Sequence, residues 1–306
     1  LRYRIGGDWW VYEENFKLFG DFNLFSNFNP TMNYGHVAVN KIISNLGLSY
    51  TYVQIIYAII LVLSLKYFID GYQLDKFLAY CIFFPIGILL MGMGFVRQGV
   101  ALSFLLISLV FLKNKKSFFA YFFIIIGCFF HKSLVIFIPL YLLIIKDFRI
   151  LIIILSLFFL YVFFTHFFIM YSIYLGSERG TEYDPAKGAY LRIAQTLLPA
   201  IFCIFFYKYL NYTDELKKII LFFSYIVFVM IFFSLYAMTF IDRVVFYFIF
   251  LQLIIVSQIP YLFSGNLIIL VKSFIVFLYL IILNVFLIFA THAKFWNPYK
   301  IVNMFL

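Results

Sequence analysis

The sequence predicts an all-α bundle of membrane-spanning helices. Three observations carry that prediction. Hydrophobic residues make up 66% of the chain, charged residues only 12%, and the apolar residues gather into long uninterrupted runs. A soluble domain is about half apolar and about 25% charged. A chain of 306 residues with this composition has too little polar surface to coat a water-soluble globule, and its mean hydropathy of +1.05 agrees. Hydrocarbon is the solvent that suits it.

Residues 1–33 are polar and aromatic and hold no spanning run. Residues 34–47 read as a short amphipathic helix at the membrane interface. The apolar stretches then follow, most of them near the ~20 residues that a spanning helix needs. They fall at about 50–69, 74–92, 95–112, 117–130, 133–146, 149–170, 190–210, 217–236, 241–260 and 267–290, about ten in all. The fourth and fifth are short, so their junction at His131-Lys132 is expected below the membrane surface. No internal repeat is visible, and the chain reads as one transmembrane domain. It begins with Leu1 in a polar segment, and a helix preceding it is expected.

Orientation follows from the short basic connections. Lys113-Asn114-Lys115-Lys116, Lys146–Arg149, and Lys208 through Lys217-Lys218 are expected in the cytoplasm. Alternation then puts residues 1–33, the 171–189 loop, 236–242 and 291–306 on the outer side. A reporter fused ahead of residue 1 is expected to read extracytoplasmic. With that topology, six of the seven arginines fall outside (Arg2, Arg4, Arg97, Arg179, Arg192, Arg243), and ten of the sixteen lysines fall inside. Lysine on cytoplasmic loops is ordinary topology. Arginine gathered against that trend suggests an anion site, because guanidinium forks bind phosphate bidentately and stay charged in a partly dry site.

The net charge of +10 does not indicate nucleic acid, since the charges are scattered between apolar runs and form no basic face. Cys81, Cys128 and Cys203 each sit inside an apolar run, without metal-ligand spacing, and read as small buried hydrophobes. No disulfide, metal or cofactor is expected. There is no Walker A motif, no DxD or carboxylate cluster for Mg²⁺, and no GxSxG elbow.

Several residues could carry chemistry. Arg97 stands in Gly92-Met93-Gly94-Phe95-Val96-Arg97-Gln98-Gly99, at the start of a helix, where a charge wants a partner or a polar cavity. His131, in Phe129-Phe130-His131-Lys132-Ser133, separates two short helices and could act as a general base or meet a phosphate. Asp242-Arg243 could neutralise itself, or Asp242 could hold Arg243 towards an anion. The opening Arg2-Tyr3-Arg4-Ile5-Gly6-Gly7-Asp8-Trp9-Trp10-Val11-Tyr12 combines cations, a glycine turn, a carboxylate and aromatic faces that suit sugar rings. The 176–185 loop, with Arg179, could cover the outer site or simply connect helices. His36, His166 and His292 are isolated in the sequence and receive no role.

Taken in order, RYRIGGDWWVY at 2–12, FVRQGVALSFLLISL at 95–109, FFHKSLVIFIPL at 129–140, DRVVFYF at 242–248 and FWNPY at 295–299 resemble the EpsG/Wzy-type family of oligosaccharide repeat-unit polymerases. Trp9 and Lys132 depart from the family's pattern. The resemblance implies a GT-C-like membrane glycosyltransferase in a bacterial inner membrane, with its site on the extracytoplasmic side. It implies transfer of a growing glycan from undecaprenyl pyrophosphate onto a lipid-linked repeat unit, with a chain-length regulator and a flippase as partners. On that reading Arg97 and Arg243 stabilise the departing pyrophosphate without a metal. Asp8 and His131 are alternative bases. Arg2, Arg4, Gly7, Tyr12, Gln98, Ser133, Arg179, Arg192 and Asp242 bind substrate. A glycan ligase, a flippase and an acyltransferase are the rival readings.

Overall fold

The computed structural model describes residues 8–20, 33–144, 189–234, 238–289 and 293. These residues are helical throughout, with no strand among them. Within them, seven helices are long and apolar enough to cross a membrane: Tyr50–Tyr72, Lys76–Gly94, Val96–Lys113, Ala189–Tyr209, Asp214–Ser234, Phe240–Leu262 and Asn266–Phe289. Two shorter apolar helices, Ser117–Phe130 and Lys132–Tyr141, stand where the two short stretches were expected. The expected span at 149–170 and the 171–189 loop lie outside the described residues.

Within the described residues the first helix is α1 (Trp9–Gly20), 12 residues long, inside the segment where no spanning run was expected. Its apolar positions explain the helix: Trp9, Tyr12 and Phe16 recur at helical spacing and are buried, while Trp10, Val11 and Leu18 are exposed. The helix α2 (Tyr34–Asn45) buries Val37 and Ile43, but also His36 and Asn40. Next come α3 (Tyr50–Tyr72), α4 (Lys76–Phe83), α5 (Val96–Lys113), α6 (Ser117–Phe130) and α7 (Phe137–Ile144). The later helices are α8 (Ala189–Phe206), α9 (Asp214–Ser234), α10 (Met238–Val245), α11 (Ile249–Val256) and α12 (Asn266–Phe289).

The tight connections gather at one end of the bundle, here called the lysine end. After α3, Gln73 adopts a left-handed conformation at φ 55°, and the Leu74 N–H reaches back to the Ile69 carbonyl at 3.0 Å. Asp75 then caps α4, its side chain accepting from the Leu78 N–H at 3.0 Å. After α5, Lys115 turns the chain at φ 58°, with the Lys116 N–H on the Phe111 carbonyl at 2.9 Å. The Lys115–Glu215 pair at 2.7 Å and the Tyr261 hydroxyl on Asp75 at 2.8 Å show that these turns share one end.

The centre of the bundle is the segment Phe240–Leu262, of whose apolar stretch 83% is buried; for α12 the figure is 11%, so that helix lies at the periphery. One polar chain still ties α12 inward. The Tyr279 hydroxyl donates to Gln252 Oε1 at 2.9 Å, and Gln252 Nε2 donates to Thr196 Oγ1 at 3.0 Å. Each polar group thereby finds a partner away from water. Cys81, Cys128 and Cys203 are free thiols on three different helices.

The span expected at 74–92 differs in kind. Only Lys76–Phe83 is α-helical; Phe84–Gly94 forms a π-helix that has Pro85 in its first turn and closes with the Phe95 N–H on the Leu90 carbonyl at 2.8 Å. Proline lacks the N–H that an α-helical bond needs, and Gly92 and Gly94 weaken the α alternative further.

Candidate active site at the arginine end

Three helix breaks converge at the other end of the bundle. The first is Phe95, whose φ −93° and ψ 63° end the π-helix and start α5. The second is His131, extended at φ −154°, between α6 and the 3-10 turn Lys132–Ile136. The third is the 3-10 turn Phe246–Phe248 between α10 and α11. Phe95 meets Phe246 with ring centroids 5.9 Å apart, and His131 meets Tyr247 by a hydrogen bond. Unwound backbone inside a membrane bundle is tolerated where it is buried in protein or lines a polar cavity.

Arg97 sits in the first turn of α5, a turn with no acidic residue. A helix N-terminus carries partial positive charge and unpaired N–H groups, so an arginine there makes the place doubly attractive to an anion. Its Nε donates to the Tyr12 hydroxyl at 3.3 Å, and its guanidinium carbon lies 5.3 Å from the Tyr12 ring centre. Gly99 permits the close approach behind it, since a Cβ at that position would lie 2.7 Å from the Met91 carbonyl oxygen.

Arg243 lies near the end of α10, and the Gln98 side chain donates to its carbonyl, fastening α10 to α5. Arg97 and Arg243 both come near enough to His131 to act on its charge. The His131 ring is oriented by two hydroxyls: Nδ1 lies 2.6 Å from Ser133 Oγ and 3.0 Å from Tyr247 Oη. Ser133 in turn donates to Tyr247 at 3.2 Å.

Asp242 does not hold Arg243, as the adjacent pair in the sequence suggested. It accepts both arms of Arg192, Nε at 2.6 Å and Nη2 at 2.8 Å, across 50 positions of sequence. The pair is largely buried, its side chains 21% and 14% exposed. Arg192 also stacks over Phe246 at 5.3 Å. Successive residues 242 and 243 point different ways on a helix, so the Asp242 side chain can be spent on α8 while the Arg243 carbonyl meets α5.

One expected site residue stands apart from this cluster, and another braces it. Asp8 is exposed, contributes its backbone carbonyl to the first turn of α1, and its carboxylate has no partner among the described residues. Gln98 is buried against Arg243, which leaves it a bracing role. Arg2, Arg4, Gly7 and Arg179 lie outside the described residues.

The structure adds residues that the sequence reading left out. His36, set aside as isolated, is buried within the cluster: its Nδ1 lies 2.8 Å from the Tyr57 hydroxyl and its ring packs on Tyr12 at 5.6 Å. Burial first, and Arg97 second, pull its pKa down to about 3, so it is neutral at ordinary pH. Tyr57 and Tyr247 were invisible as site residues among so many tyrosines. Spacing gives one retrospective signal: His36 and Asn40 stand four apart on the buried face of α2.

No curated protein and no solved structure matches the chain at a significant level. A family model does. It is described as the EpsG family and matches residues 1–301, which takes in every element of the cluster. The broken helices and arginines at this end of the bundle therefore belong to a membrane protein of polysaccharide biosynthesis, and the chain is a member of the EpsG family.

Proposed function

We propose that the protein is a polysaccharide polymerase that moves a growing glycan from undecaprenyl pyrophosphate onto a lipid-linked repeat unit. One observation carries this reading: the convergence of three helix breaks around His131, with Arg97 and Arg243 beside it. The acceptor hydroxyl oxygen attacks the anomeric carbon of the donor. The bond from that carbon to the phosphate oxygen breaks, its electrons leave with the pyrophosphate, and the acceptor proton passes to a base.

Arg97 and Arg243 stabilise the negative charge that develops on the leaving group. The base is His131 or Asp8: the His131 ring is held in place, while burial and the neighbouring arginines oppose the charge it would take up. With Nδ1–H donating to Ser133, Nε2 keeps a lone pair for the proton. Asp242 and Arg192 neutralise each other and keep α8 against α10. The whole chain acts as one transmembrane domain of GT-C-like character. Its arginine end faces the extracytoplasmic side, in agreement with the exposed lysines at the opposite end.

In-vitro turnover tests the reading. Full-length protein in lipid, supplied with undecaprenyl-pyrophosphate-linked repeat units, is expected to give a product ladder that survives EDTA. A ladder lost to EDTA would refute the assignment of the positive charge to arginines alone. No ladder from a native substrate would refute the polymerase reading. In cells, accumulation of lipid-linked polymer in a deletion strain would indicate a ligase, and accumulation of single units a polymerase.

A further inference from the structure

The peripheral helix α12 has two faces with the same spacing. Towards the bundle it places Ile275 and Tyr279, both buried, then Ile282 and Phe286, half-buried against the core. These follow one another at steps of four, three and four. The Lys272 ammonium fastens the same face to Asp75 at 2.6 Å. Two residues rotate a helix by about 200°, so the stripe Leu270, Phe274, Phe277, Ile281, Asn284, Ile288 runs down the opposite side. Its steps also alternate between four and three, and its apolar members are 44% to 70% exposed. That alternation is the seam of a left-handed helix pair.

Asn284 interrupts the seam. It is exposed, its Nδ2 donates to the Leu280 carbonyl of its own helix at 2.8 Å, and its Oδ1 has no partner among the described residues. The 24 residues of α12 reach about 36 Å against a hydrocarbon layer of about 30 Å, and Asn284 stands about 8 Å from the end, so its amide falls within that layer. Lipid tails suit an exposed face such as that of α9, made by Phe228, Val229, Phe232 and Phe233. They offer nothing to an amide oxygen.

We propose that a second copy of this chain packs on α12, seam against seam, with the two Asn284 side chains hydrogen-bonded to each other. Two copies in one membrane share an orientation, so their α12 helices run parallel about a two-fold axis along the membrane normal. In a parallel pair each seam position meets itself. An amide is both donor and acceptor, so Asn284 meets its own complement there. A single polar residue in an apolar seam also fixes the register of the pair. The inference is independent of the reaction assigned to the arginine end.

The test uses the full chain in lipid vesicles, with energy transfer between tag-labelled copies read at falling protein-to-lipid ratios. Melting temperatures are recorded in parallel. Wild type is expected to pair, and Asn284→Leu to pair about 3- to 10-fold more weakly while melting at the same or a higher temperature. Asn284→Gln is expected to stay close to wild type. Phe277→Ala combined with Ile281→Ala is expected to weaken the pair further. Asn284→Cys is expected to crosslink between chains under mild oxidation, and Phe205→Cys, exposed on α8, is not.

A wild-type protein that stays monomeric at every ratio overturns the proposal and leaves this face to lipid. So does a dimer that neither Asn284→Leu nor the double alanine variant weakens, since that pair forms on another surface. Crosslinking of Asn284→Cys no faster than that of Phe205→Cys overturns it as well. A weaker pair in Asn284→Leu that comes only with a lower melting temperature marks a folding role for the amide, and the self-pairing falls.

Discussion

The two ends of this bundle both carry charges and treat them differently. At the lysine end two ion pairs are open to solvent, Lys66–Asp70 with side chains 64% and 40% exposed and Lys115–Glu215 with 74% and 68%, while Lys272–Asp75 is part-buried at 30% and 13%. Helices there end in regular caps. At the arginine end the helices break, the Arg192–Asp242 pair is largely buried, and hydroxyls stand beside Arg97 and His131. Exposed pairs gain little, about 0–1 kcal/mol each, because water screens them. Buried cations are costly unless something compensates them. The difference supports the proposal that the arginine end takes the ligand.

The sharpest way to break that contrast is to remove a cation from each end. Arg97→Ala and Arg243→Ala are expected to abolish polymer and leave single repeat units, read on a glycan gel. Lys115→Ala is expected to leave polymer length unchanged. Long-chain polymer from either arginine variant would dissolve the distinction.

A second contrast concerns the pairs themselves. Asp242→Ala leaves Arg192 without its partner in a largely buried site, and a loss of about 3 kcal/mol is expected in chemical denaturation. Glu215→Ala, at the exposed pair, is expected to cost less than about 1 kcal/mol. The double variant Arg192→Leu with Asp242→Leu should recover most of the loss, since it removes the charge rather than stranding it.

Tyr247→Phe asks whether orientation of His131 matters to the chemistry. It removes one of two hydroxyls at Nδ1, and a fall in kcat of about 10- to 100-fold is expected with KM little changed. A change in KM alone would assign Tyr247 to substrate binding instead. Gly99→Val addresses the packing behind Arg97. Its side chain would collide with the Met91 carbonyl, so a lower melting temperature and reduced turnover are expected together.

A smaller effect than that at Asp242 is expected from Asp75. Burial opposes its charge, but hydrogen bonds from Lys272, the Leu78 N–H and Tyr261 outweigh burial and hold its pKa below the ordinary value. Its stabilisation is therefore complete above the unfolded pKa of about 3.9 and is lost as pH falls through the folded value. Unfolding of wild type and Asp75→Asn at pH 7 and at a pH below the folded pKa of Asp75 should show a difference of about 1 kcal/mol that disappears at the lower pH.

Hydropathy made the long helices legible, because a membrane imposes a length on every span. The break at His131 was legible for the same reason, since two short apolar runs met at a polar pair. Arg97 stood out as a charge against an apolar background. The partner of Asp242 was not legible: Arg192 lies 50 positions away, and adjacency to Arg243 gave the wrong one. His36 was passed over because isolation in sequence was taken for isolation in space. The π-helix was hidden because apolar composition is blind to whether a turn closes over four residues or five.

That wide turn has a consequence for how the chain tolerates insertions and deletions. Each residue of an α-helix rotates the chain by about 100°. Deleting one residue between Pro85 and Gly94 would let the segment tighten towards an α-helix, improving its backbone bonds while swinging Arg97 away from Tyr12 and His131. Apolar replacements that keep the length would leave that aim intact. Residue count in this stretch thus outranks residue identity, and the better-formed helix would belong to the inactive protein.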